Sequence, residues 1–355
     1  MRHWPVFTPL LALALLGAGF ALPGSAALLA ACALLLVGAV IAAVHHAEVV
    51  AHKVGEPYGT LVLALAVTVI EVALIVSTML QGGAGAATLA RDTIFAAVMI
   101  ICHGVLGLCI FVGALRHHEQ AFRVDGVSAA LASLVALATL SLVLPSFTTS
   151  SSEGTYTTSQ LAFVGVVSLV LWLVFVFMQT VRHRDYFLPA EHAEDETLHA
   201  VPPGTGQTWA SAALLLLALV AVVGLAKLLS PTIEGALAAA QLPKAVLGIV
   251  IAGIVLLPET WAAARAAWAD RLQTSLNLAL GSALASIGLT IPAVVVASVW
   301  LGLPLKLGLE GKDLTLIALT FIVGTLTLAS GRTNLMFGAV HLVLFAAFVF
   351  LALVP

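Results

Sequence analysis

An all-α polytopic membrane protein is the fold class this sequence predicts, and three observations predict it. Sixty-one per cent of the 355 residues are hydrophobic and 9% are charged, with a mean hydropathy of +1.14, far more apolar sequence than a water-soluble core needs. The apolar residues gather into eleven runs long enough to cross a bilayer as helices. Two of these runs, one in each half of the chain, carry a single isolated glutamate. A net charge of −3 gives no footing for nucleic acid. Cys32, Cys102 and Cys109 make no disulfide framework, and the last two, seven positions apart on one predicted helix, stand about 10 Å from each other.

The predicted spans lie at about 8–22, 26–46, 57–80, 92–115, 127–145, 159–181, 208–229, 244–268, 272–302, 313–330 and 334–354. The first also fits a cleaved signal peptide, since Arg2 precedes an apolar run that ends in small residues near Ser25 and Ala26. The helix reading is preferred because a second span follows after only Pro23, Gly24 and Ser25. The longest polar segment runs from Arg182 to Thr208, holds five acids between Asp185 and Glu196, and reads as a solvated linker. Lys and Arg divide nine to five between the two sides, which places the N-terminus and the acidic linker in the cytoplasm and the C-terminus outside.

The two halves answer each other. Glu71 sits near the middle of the third span, with no basic residue within ten positions on either side. A carboxylate at that depth costs about 2.5–3.5 kcal/mol on insertion scales, and intramembrane acids usually face a cavity or a partner. Glu259, directly after Pro258, is its counterpart in the eighth span. Laying one acid over the other sets spans two to six over spans seven to eleven. Five is odd, so the halves cross the membrane in opposite senses, an inverted repeat of the kind that places a site where the halves meet. The predicted organisation is a first helix at 1–25, a five-helix repeat at 26–181, an acidic cytoplasmic linker at 182–207 and a second five-helix repeat at 208–355. Pro258 removes a backbone donor and is expected to free the carbonyl of Ile254.

Other polar groups fall nearby in the pattern. Thr68 lies one turn before Glu71, and Thr78 two turns after it. Ser275, Ser282 and Ser286 form one stripe on span nine, with Asn277 alongside; the stripe serves either close packing or the lining of a site. HHAEVVAH, from His45 to His52, matches no zinc-hydrolase spacing and reads as an interfacial, titratable rim. His103, deep in span four, either bonds a neighbouring helix or titrates in proton movement.

Several blocks of this sequence resemble the bacterial calcium/proton exchangers of the cation/calcium exchanger superfamily. VGEPYG supplies Gly55, Glu56 and Gly59 of the family's Gly-Glu-x-x-Gly, Glu71 follows at the family's spacing, and Glu48 stands where an earlier family acid does. GALRHHEQAF, from Gly113 to Phe122, is similar to the family's loop after the same span. Gly281, Ser282, Ala283 and Pro292 follow Glu259 at family spacing, and SGRTNLMFG keeps Gly331, Asn334 and Gly338. The departures are Thr68 and Leu256 at the family's two asparagines, His103 at a third, and Ala285 at a glutamine.

The resemblance implies a secondary cation/proton antiporter in the inner membrane, not an enzyme, exporting Ca²⁺ for H⁺ by alternating access, without a cofactor. Calcium asks for about six to eight oxygens, and the missing donors keep a Na⁺(K⁺)/H⁺ antiporter as the alternative. The expected cation ligands are Glu71, Glu259, Thr68, Asn277 and Ser282; His103, Glu48, Glu56 and Ser286 are expected along a proton path or its entrance. The expected partners are membrane lipid and the transported cations, with no nucleic acid and with homo-oligomerisation left open.

Overall fold

The computed structural model describes residues 4–22, 25–55, 58–82, 85–152, 154–188, 203–243 and 245–354. Glu56 and most of the acidic linker lie outside these described residues. Among the described residues, eleven helices follow the eleven apolar runs: α1 Trp4–Ala21, α2 Ala26–Val54, α3 Tyr58–Gln81, α4 Leu89–His117, α5 Val124–Ser146, α6 Thr158–Arg182, α7 Thr205–Ala239, α8 Ala245–Trp268, α9 Leu272–Leu301, α10 Gly311–Leu328 and α11 Leu335–Leu353. Ten of them are long and apolar enough to cross a membrane, and α3 adds the apolar stretch Ala64–Leu80. This is a multi-pass membrane protein. In lipid each backbone group must be satisfied within its own segment, and helices do that.

Local chemistry sets the ends. Ser25 caps α2 by accepting from Leu28 N, and Thr157 with Gln160 forms a full capping box at the start of α6. The main surprise is α7. The sequence predicts its end near residue 229, before Pro231, yet the helix continues through that proline to Ala239. Turns of π-helix interrupt α4 at Ile100–Val105 and α5 at Thr139–Val143, and end α6 at Met178–Arg182. One departure from all-α is a two-stranded antiparallel ribbon, β1 Glu119–Ala121 with β2 Arg332–Asn334, in which Gln120 faces Thr333.

By packing, the chain forms two compact units, and these cut across the sequence repeats. Unit 1 covers 1–86 and 199–247, and so holds α1, α2, α3 and α7. Within it α1, α2 and α7 pack on one another and α3 packs on α2 and α7. Gly19 lies against Leu228, Gly38 against Thr8, and Gly224 against Leu16, so small residues let these helices approach closely. The first helix is thus an integral member of unit 1.

Unit 2 covers 87–198 and 248–355. At its core α9 packs on α4, α5 and α6, and α11 packs on α4. Two loops strap it. Segment 116–123 grips the turn between α8 and α9: Arg116 Nη1 (3.2 Å) and His117 Nε2 (3.0 Å) donate to the Trp268 carbonyl, and Gln120 Nε2 donates to the Ala267 carbonyl (3.1 Å) and to Asp270 Oδ1 (2.8 Å). The Arg116 guanidinium also lies over the Trp268 ring at 5.2 Å. Segment 306–310, after α9, grips the stretch that enters α4: Lys306 N donates to Ala87 O (2.8 Å), and Arg91 Nη1 reaches Gly308 O (3.1 Å). Arg91 is 7% exposed and is paired at 2.8 Å with Asp92, whose other oxygen accepts from Thr88. The ends of the straps are reciprocal too: Phe122 N donates to Gly331 O, and Leu309 N donates to Leu142 O. Loops after counterpart helices grip counterpart turns, as an inverted repeat produces.

Candidate functional site

Each unit holds one of the two isolated glutamates. In unit 1, Glu71 is 3% exposed, near the middle of α3. Thr68, one turn earlier, is buried on the same helix, while Thr78 Oγ1 donates to the Leu74 carbonyl (2.9 Å). The buried residues Thr68, Ile70, Glu71, Leu74, Ile75 and Thr78 make one stripe, so the apolar pattern that drives α3 inward takes the carboxylate with it. Glu48 is exposed on α2.

Unit 1 also corrects the reading of HHAEVVAH. His46 is not part of an interfacial rim: it is buried, with Nε2 3.0 Å from the Pro5 carbonyl and Nδ1 3.3 Å from Ser211 Oγ. That leaves Nε2–H donating to Pro5 and Nδ1 facing the Ser211 hydroxyl. One side chain therefore ties α1, α2 and α7 together. His45, its exposed neighbour, lies beside Trp4.

In unit 2, Glu259 is half-buried on α8, which runs unbroken through Pro258 from Ala245 to Trp268. Of the α9 stripe, Ser275 Oγ donates to the Ala263 carbonyl (2.6 Å) and so fastens α9 to α8. Ser282 is half-buried and Ser286 is buried, about two and three turns further along α9. Asn277 is held elsewhere: its Nδ2 donates to the Phe187 carbonyl (2.5 Å), and its Oδ1 accepts from Gln273 (2.9 Å). In this arrangement its amide joins the turn after α6 to α9. Glu56 lies outside the described residues.

His103 sits on the π-helical turn of α4 and is 1% exposed. Its Nδ1 is 2.9 Å from Nδ1 of His341 on α11, and its Nε2 is 2.9 Å from Thr320 Oγ1 on α10. His103 is thus bonded to two neighbouring helices. Sequence reasoning missed His341, although the signal was present, because it is the sole ionisable side chain of α11, the same criterion that singled out Glu71. Among the described residues no three His, Cys, Asp or Glu side chains gather as a metal-binding group.

The whole chain can be compared with known proteins. Residues 24–181 and 210–354 match the family model described as sodium/calcium exchanger protein. The putative ionic transporter y4hA of Sinorhizobium fredii (strain NBRC 101917 / NGR234) is 53% identical over 325 residues, covering 90% of this chain and 87% of that protein. The sodium-potassium/proton antiporter ChaA of Escherichia coli (strain K12) is 33% identical over 309 residues, covering 86% and 83%. Among solved structures, that of the Ca²⁺/H⁺ antiporter protein YfkE shares the fold with a TM-score of 0.74 at 16% identity, over 99% of both chains. Two matched segments that together take in both five-helix runs leave one assignment: this chain belongs to the sodium/calcium exchanger protein family.

Proposed function

We propose that the protein is a secondary active cation/proton antiporter that exports Ca²⁺ from the cytoplasm in exchange for H⁺. The observation that carries this reading is the pair of isolated glutamates, Glu71 and Glu259, one at the matching position of each five-helix run. Burial favours the protonated carboxyl and a cation favours the carboxylate, so one site holds protons or a metal in turn. Two glutamates that lose two protons match the charge of one Ca²⁺. Expelling two charges against about 100 mV costs about 4.6 kcal/mol, and two entering protons return the same amount, so a two-for-one exchange runs on the pH gradient alone. Thr68 and Ser282 are the neutral oxygens this reading adds to the two acids, with Ser286 on the proton path.

A second reading is a Na⁺(K⁺)/H⁺ antiporter. It is favoured by the 33% identical relative described as a sodium-potassium/proton antiporter. The loss of neutral amide oxygens at Thr68, Leu256, His103 and Ala285 points the same way, because it leaves fewer donors for a divalent ion. In either case the expected location is the inner membrane, with the N-terminus cytoplasmic.

Everted vesicles carrying a pH dye and challenged in turn with Ca²⁺, Na⁺ and K⁺ separate the two readings. Glu71→Gln and Glu259→Gln should each abolish cation-dependent proton movement while the protein remains in the membrane. Near wild-type exchange in either variant would remove that acid from the coupling mechanism. Flux that neither saturates nor reverses with the imposed pH gradient would identify a channel.

A further inference from the structure

Four polar side chains form an unbroken line through the buried core of unit 2. Glycines make room for it. A Cβ on Gly107 of α4 would come within 2.8 Å of the His341 Cβ, and one on Gly338 of α11 within 2.6 Å of Phe111 N. Only bare backbone at these points lets α4 and α11 approach this closely. The line then runs from Thr327 Oγ1 to His341 Nε2 (2.9 Å), from His341 Nδ1 to His103 Nδ1 (2.9 Å), and from His103 Nε2 to Thr320 Oγ1 (2.9 Å). All four residues are at most 1% exposed.

The bonds define where the protons are. Thr320 Oγ1 donates its single proton to the Leu316 carbonyl at 2.7 Å, a closer and better acceptor than the Met99 sulfur at 3.4 Å. Thr320 must then accept, so His103 carries its proton on Nε2 and presents a lone pair at Nδ1. His341 must donate from Nδ1, which leaves the His341 Nε2 lone pair to accept from Thr327. Two neutral rings satisfy these three bonds in one direction, with the Cys102 backbone a further partner of His341, and a single basic lone pair is left, at His341 Nε2.

We propose that the His103–His341 pair is a proton-binding site, distinct from the two carboxylates, that takes up one proton at His341 Nε2 from the Thr327 side. On uptake the proton bonds to Nε2, and the Thr327 hydroxyl turns to accept from the new N–H while giving its own proton to its helix carbonyl one turn back. The Nδ1 proton of His341 then crosses to His103 Nδ1, and the charge moves one ring inward. At the far end the line meets the Leu316 carbonyl and the Met99 thioether, neither of which holds a proton, so loading and release use the same end. Thr327 lies about 10 Å further along α10 than Thr320, in the last turn before β2. Protons would therefore enter from the β1–β2 side, which the basic-residue count places in the cytoplasm.

The chemistry selects a proton over a metal ion. Two nitrogens bound to one metal at about 2.0–2.1 Å each, at a tetrahedral angle, stand further apart than the 2.9 Å seen here. The elements packed around the pair offer no carboxylate at its level. On α4 the ionisable groups are Cys102 and Cys109, with Arg91, Asp92, Arg116 and His117 near its ends; on α10 they are Lys312 and Asp313 in the first turn; on β2 there is Arg332, and on α9 none. A protonated pair would share its charge between two rings and would not be trapped by an acid. A membrane-buried histidine on a π-helical turn also belongs to the features that recur at functional sites.

The test uses the full chain labelled with ¹⁵N-histidine in liposomes. At neutral pH one ring should show the Nδ1-protonated tautomer, coupled across the hydrogen bond to a second ring, and both signals should vanish in His341→Asn. On acidification the pair should take up one proton as a unit. In exchange assays His341→Asn and the isosteric Thr327→Val should both make the pH dependence less steep, while leaving cation dependence in place. The assignment rests on the antiport reading for what the proton does, but the NMR titration reads the pair even if no exchange is found. Two Nε2-protonated rings at every pH, or pH profiles unchanged in both variants, would overturn it.

Discussion

The two straps of unit 2 occupy counterpart places in the repeat and hold with different chemistry. Segment 116–123 reaches out with the side chains of Arg116, His117 and Gln120 onto carbonyls at the end of α8. Segment 306–310 offers mainly its own backbone, and the buried side chain that reaches it, Arg91, comes from the helix being held; from the segment itself Glu310 adds only an exposed carboxylate 3.5 Å from Arg91. Side-chain bonds at a part-exposed surface are weak one by one and can be exchanged. A buried guanidinium that neutralises Asp92 cannot be removed piecemeal. Repetition has preserved which loop holds which turn, not the residues that do the holding. This is why the two halves read as a repeat in hydropathy but barely in residue identity.

That contrast orders the effects of breaking it. The largest loss should follow Arg91→Leu, which leaves the largely buried Asp92 carboxylate without its guanidinium, at a cost of about 3–5 kcal/mol. Unfolding in detergent measures it, and the double change with Asp92→Leu should recover much of the loss. Next comes Gly308→Ala. Its Cβ would lie 2.6 Å from both Gly154 Cα and Ser146 Oγ, so the backbone strap has to shift, for about 1–3 kcal/mol. Gly311→Ala, where nothing lies within 4 Å, is the matched control and should change stability far less.

On the side-chain strap, Gln120→Leu removes two donors and leaves the buried end of α8 short of a partner, for about 1–3 kcal/mol. Faster amide exchange confined to residues 263–270 would locate the loss. A larger penalty here than for Arg91→Leu would reverse the comparison. The smallest effect belongs to the Glu119–Arg332 pair at the ribbon, 3.6 Å apart with both side chains more than half exposed. Arg332→Ala should stay within about 0.5 kcal/mol, less still in high salt.

Much of this protein was legible in order along the chain. Each of the eleven apolar runs became a helix, and outside them, among the described residues, the regular structure is a ribbon of three residues per strand and one turn of 3-10 helix at Arg184–Phe187. The bilayer makes this so, since it requires each segment to satisfy its own backbone and hydropathy then suffices to find it. The isolated acids were legible for the same reason, because a lone charge in an apolar run has no local cause. Family membership followed from spacing along single segments.

What the sequence could not supply is which faces meet. Arg91 falls between the predicted spans 57–80 and 92–115, yet it is buried in a strap whose other half lies 217 residues away. His46 read as a rim residue and is a three-helix tie. His103 was noticed, but its partner His341 is 238 residues distant, and nothing in either helix names the other. The pairing depends on glycines at Gly107 and Gly338 that bring two backbones together at one rotation of each helix. Hydropathy sums over a helix and is indifferent to that rotation. Tertiary packing decides it, because a buried polar atom finds its partner only where the close-packed faces leave it one.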